Sequence, residues 1–99
     1  MENLKNKALR GAIMTALKAN SPMGDHLIKM LLEDTPYEAT LESIKQELEY
    51  LEDKGYIELS KVSIKEIGVS RVVAKLTSRG RDLLDGTEPP DKGVVMPDG

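Results

Sequence analysis

Apolar residues recur at three- and four-residue steps from the start of the chain, with Leu4, Ala8, Ala12 and Ala16 beside Leu9, Ile13 and Leu17. That period marks an amphipathic helix, expected over residues 3–19, with Gly11 as its weak point. Asn20-Ser21-Pro22 ends it, and Asp25 is placed to cap a second, short helix. The apolar density of Leu27, Ile28, Met30, Leu31 and Leu32 implies that this second helix is well buried. Thr35-Pro36-Tyr37-Glu38 has capping-box spacing, yet Thr40 is also a good cap for a third helix. A turn is therefore expected at 35–39, with the third helix starting near Thr40. Leu41, Ile44, Leu48 and Leu51 form its apolar stripe, and Gly55 supplies the left-handed residue that stops it.

Beyond Gly55 the period changes from near four to two. Tyr56 to Val62 and Arg71 to Thr77 alternate as strands do, with Ile57 and Leu59 sharing one face and Val72, Ala74 and Leu76 another. A polar connection containing Gly68 joins them. Thr77 caps a short closing helix that ends at Gly86. The remainder, TEPPDKGVVMPDG, has two adjacent prolines, three acids and little to bury, so residues 87–99 read as a flexible acidic tail on a domain of residues 1–86.

Three helices, a two-stranded β-hairpin and a closing helix form the order of an α+β winged helix-turn-helix, in which the third helix enters a groove of DNA and the hairpin is the wing. Gly55 lets the chain reverse within one residue, so the strand packs beside the preceding helix. LEYLEDKGYIEL and VVAKLTSRGRDLLDG then resemble a pattern of many bacterial winged-helix regulators over about residues 4–86. A closer resemblance is to small winged-helix proteins of Mu-like phages and prophages. It is carried by Leu48, Tyr50, Leu51, Glu52 and Gly55, by Ala74, Lys75, Leu76, Thr77 and Gly80, and by Gly86, Thr87, Pro90, Gly93 and Val94. The family's second wing strand often carries an aromatic residue where this chain has Val73. The resemblance implies the fold and a phage or prophage origin, and it supplies no catalytic or cofactor residue.

Composition narrows the function. Ninety-nine residues hold one modest core, and the absence of cysteine excludes disulfides and thiolate metal sites. No apolar run approaches a bilayer span and the N-terminus lacks a signal peptide's apolar region, so a soluble protein of the bacterial cytoplasm is expected, with no membrane partner. The formal net charge of −3 hides a segregation. Residues 33–60 hold nine acids against two bases, whereas residues 61–81 hold six bases against Glu66.

On the third helix, Ser43, Gln46 and Tyr50 fall opposite the apolar stripe, with Thr40 at its start and Glu42 at its margin. These residues are candidates to face a DNA groove, Gln46 being able to pair with adenine. A solvated helix face explains them equally well. The later acids Glu47, Glu49, Glu52 and Asp53 add no favourable field, so affinity for phosphate must come from Lys61, Lys65 and Arg71 of the wing. The competing explanation is a solubilising strand edge. Lys5, Lys7 and Arg10 either reach flanking phosphate or solvate the first helix. His26 has no partner for a zinc site or a catalytic triad, there is no glycine-rich phosphate loop, and the carboxylates carry no acid/base framing. The expected protein is non-enzymatic, uses no cofactor, binds double-stranded DNA and regulates transcription. A homodimer would let a domain this small specify a long site. The rival reading is an interaction module with a charged protein partner, through the acidic helices or the basic wing.

Overall fold

In a computed structural model that describes residues 4–36 and 39–96, the first run of apolar steps forms α1 (Leu4–Ala19). Leu9, Ile13, Met14 and Leu17 bury its inner face. Met23–Gly24 forms β1, a two-residue strand too short to leave a periodic signal in the sequence. α2 (Asp25–Leu32) starts after an N-cap at Gly24, so Asp25 is the first helical residue and not the cap. Only Ile28 and Leu32 of its five apolar positions are buried; Leu27, Met30 and Leu31 are exposed. The expectation of a well-buried second helix is corrected here. An eight-residue helix lying on α3 and the sheet can turn only one stripe inward.

α3 (Leu41–Asp53) begins at Thr40, whose hydroxyl accepts from the Ser43 N–H while the Thr40 N–H donates to Ser43 Oγ. This reciprocal cap fixes the helix start. The turn expected just before it falls partly on residues 37 and 38, outside the described residues. Ile44, Leu48 and Leu51 are fully buried, as their stripe implies, and Leu41 is half-buried. The helix ends where Gly55 adopts a φ of 83°, and the Tyr56 N–H donates back to the Leu51 carbonyl at 3.0 Å.

β2 (Ile57–Ile64) and β3 (Val69–Leu76) form an antiparallel ribbon joined by one 3-10 turn, Lys65–Ile67, and Gly68. β1 adds to the other edge of β3, giving a three-stranded antiparallel sheet of order β1-β3-β2. The register pairs Ile57 with Leu76, Leu59 with Ala74 and Lys61 with Val72. One face of the ribbon's base thus joins the core, while residues 60–68 run on into solvent, every one of them exposed. α4 (Ser78–Asp85) is capped by Thr77 and ends at Gly86, as the sequence implies. Four helices and this sheet make an α+β domain compatible with a winged-helix-like fold, with the short β1 as the element that three helices and a hairpin leave out. Among the described residues no helix is long and apolar enough to cross a membrane.

The chain beyond Gly86 departs most from expectation. Glu88 pairs with Arg79 of α4, and residues 91–96 then lie along α1 and α3 as a strap. Val94 is buried, the Val95 N–H donates to the Lys7 carbonyl at 3.0 Å, and the Gly93 carbonyl accepts from Arg10 Nη1 at 3.0 Å. Gly11 makes this possible, because a Cβ there would collide with the Val95 carbonyl. The helix's weak point is a seat for the strap. The domain boundary at residue 86 and the tail from 87 are corrected accordingly through Met96, which packs on the core; residues 97–99 lie outside the described residues. Polar contacts, Val94 and Met96 hold the segment, and hydrophobic density does not register so sparse a set.

Candidate functional site

α3 and the β2–β3 ribbon enclose an open groove of about 850 Å³. One wall carries Lys45, Glu49, Glu52 and Asp53 of α3; the other carries Leu59, Lys61, Ser70 and Val72 of the ribbon. Glu52 Oε2 accepts from the Leu59 N–H at 3.1 Å, so one of the acids closes the base of the groove by blocking an open strand edge. Three carboxylates against two lysines give this groove a negative bias.

The expected groove-facing residues of α3 divide. Glu42 and Gln46 are exposed on the first two turns. Thr40 and Ser43 spend their hydroxyls on the helix cap, and Ser43 Oγ also donates to the Thr40 carbonyl at 3.0 Å. Tyr50 must be withdrawn from the groove-facing set. Its ring lies 3.6 Å from the Arg10 guanidinium, its hydroxyl is 3.4 Å from Asp91 Oδ1, and a Cβ on Gly93 would collide with it. It belongs to the seat of the strap. Lys45 takes a place the sequence reading missed: it is exposed, lines the groove, and holds its Nζ 3.8 Å from Asp25 Oδ2.

The three wing cations are not brought to one point. Lys61 lines the groove on the wall opposite α3, Lys65 stands on the 3-10 turn at the tip, and Arg71 belongs to the opposite ribbon face, paired with Val62. Lys61 and Lys65 are exposed, and Arg71 is half-buried with Nη1 3.3 Å from the Ser70 carbonyl. The cations surround the ribbon.

Three charged side chains are removed from the surface. Arg10 Nε donates to Glu47 Oε1 at 2.7 Å, with the residues only 3% and 5% exposed. Neither Arg10 as a phosphate contact nor Glu47 as a surface acid survives this. Glu47 lies three residues after Ile44 and four before Leu51, so its place on the inward stripe was readable. Asp25 is wholly buried at the start of α2; Oδ1 accepts from the His26 N–H at 2.8 Å and has His26 Nδ1 at 2.9 Å. Oδ2 accepts no hydrogen bond among the described residues, leaving Lys45 as its countercharge.

Beneath the strap, Asp91 collects donors. Tyr56 OH donates to Oδ2 at 2.8 Å and the Gly93 N–H to Oδ1 at 2.7 Å. Burial pushes the Tyr56 phenol up to about 12, and the hydrogen bond to Asp91 adds to the shift. Burial also acts to raise Asp91, but the Gly93 N–H, the Tyr56 hydroxyl and the Lys54 charge outweigh it and hold the carboxyl below its ordinary value. These groups build the scaffold and frame no substrate pocket. Among the described residues no group of three or more potential ligands is placed to hold a metal. No family model matches the chain, and no curated protein is similar enough to it to be reported as a relative.

Proposed function

We propose that the chain is a winged-helix protein that binds double-stranded DNA and regulates transcription without a catalytic step. A phage or prophage setting rests on the sequence resemblance alone. The observation that carries the reading is the ribbon, which runs past the core with Lys61, Lys65 and Arg71 spaced around it, beside the exposed Glu42–Gln46 face of α3. In this reading the ribbon cations neutralise phosphate and fix the register, while the first turns of α3 address base edges. Lys45 joins the phosphate set, since it stands on α3 where the groove opens. The later acids stay off the duplex.

A second reading has its own observation. Glu49, Glu52 and Asp53 line the wall that faces Lys61, and a strand of phosphates laid along that groove would be repelled. The same wall would suit a basic segment of a partner protein. Titration of a labelled duplex at two salt concentrations separates the two. A phosphate-led complex weakens by orders of magnitude between low and moderate salt, and an absence of duplex binding at low salt would leave the interaction module.

A further inference from the structure

The far end of the ribbon combines charge with apolar side chains that nothing in the domain covers. Val62, Ile64 and Ile67 are 47%, 44% and 66% exposed, and Lys65 and Arg71 stand among them. The register explains the arrangement. Val62 pairs with Arg71 and Ile64 with Val69, so the two exposed β2 residues share the ribbon face that turns away from the groove, and Ile67 comes next at the tip. A solubilising edge would carry polar residues at these positions.

We infer that the ribbon tip is an apolar wedge for the minor groove of duplex DNA, with Ile64 and Ile67 pressing on a base step while Lys65 and Arg71 hold the flanking phosphates. The inference rests on the DNA-binding reading and adds a deformation to it. Two observations favour DNA as the occupant. The tip carries Lys65 and Arg71 against Glu66, an excess of cations that calls for a polyanion. A lipid surface is less well matched, since interfacial insertion draws on broad apolar faces and aromatic anchors, and the chain has no Trp and no Phe. Inserted aliphatic side chains unstack a step and bend the duplex toward the major groove. Such a bend would carry the flanking DNA past the acidic wall instead of along it.

The test uses the full chain and a duplex of roughly 30 base pairs with a flexible central TA step and a fluorophore at each end. The wild type should shorten the end-to-end distance as expected for a bend of roughly 20–90°. Ile64→Ser/Ile67→Ser, at exposed positions that leave the core intact, should abolish the bend and weaken binding about tenfold or more while preserving the salt slope. Lys65→Ala should keep the bend and flatten the slope by about one unit. A duplex that is bound with a phosphate-type salt slope yet stays straight, or is bent equally by the double-serine variant, overturns the wedge and leaves the DNA-binding reading standing. Failure to bind any duplex at low salt overturns both. In that case, binding to phosphatidylserine vesicles that the double-serine variant loses would assign the tip to a lipid surface.

Discussion

Arg10 and Glu47, 37 residues apart, form an ion pair of 2.7 Å between α1 and α3 from which water is almost excluded. Arg10 also lies over the Tyr50 ring and donates to the Gly93 carbonyl, so one guanidinium joins two helices and the strap. A charge withdrawn this far from water is tolerated only while each donor has its acceptor. Removing one partner should therefore cost more than the pair itself is worth. Glu47→Ala is expected to destabilise the fold by about 3–5 kcal/mol, and Arg10→Met/Glu47→Leu by much less. Chemical denaturation of the single and double variants checks this; additive losses would show that the pair is not buried as described.

The seat at Gly11 reverses an ordinary rule. Alanine at a helix-interior glycine normally stabilises by about 0.5–1 kcal/mol. Here its methyl group would displace Val95. Gly11→Ala should lower the melting temperature of the full chain, and raise it in a chain ending at Thr87, where no strap competes. Truncation at Thr87 alone should cost at least about 2 kcal/mol, from the burial of Val94 and the lost hydrogen bonds. Thermal melts of the four chains give the answer. A stabilising Gly11→Ala in the full chain would mean that the strap does not lie on α1.

Tyr56 and Asp91 give the strap a dependence on pH at both extremes. Asp91 is depressed, so its contribution is complete above the ordinary carboxylate value, near pH 4, and is lost as pH falls through the lower folded value. Tyr56 is raised, so its contribution is complete below the ordinary phenol value of 10.0 and is lost as pH climbs toward about 12. Between these limits the two groups should leave stability flat. Asp91→Asn should remove much of the acid-side loss and move the Tyr56 titration down. Tyrosinate absorbance against pH, with denaturation midpoints on the acid side, checks both; an unmoved Tyr56 titration would uncouple the two groups.

How far the sequence reveals the fold depends on how local each cause is. Leu48, Leu51 and Gly55 act within one helix and its stop, and Thr77 and Gly86 bracket one turn-to-helix unit, so spacing and turn chemistry expose them. Arg10 with Glu47, and Tyr56 with Asp91, meet across 37 and 35 residues, and no period encodes such a meeting. α2 misled for a related reason: its composition gives the amount of apolar surface, while its neighbours decide which stripe is covered. The candidate site shows the same division. Exposure of Gln46 was legible from helix phase, and that of Lys61 and Lys65 from their charge and their place in the hairpin, whereas the withdrawal of Tyr50 depended on a segment more than 40 residues away.

Duplex binding led by the ribbon is tested most directly by the slope of log affinity against log salt, measured for the wild type and for Lys61→Ala/Lys65→Ala/Arg71→Ala on the same duplex. At about 0.9 per phosphate, three lost contacts should flatten the slope by roughly three units and weaken specific and non-specific duplexes alike. Gln46→Ala should leave the slope in place and cost about 1–3 kcal/mol on the preferred site alone. Equal slopes for the wild type and the triple variant, or a triple variant that loses a protein partner where no duplex was bound, would contradict the assignment of the ribbon to DNA.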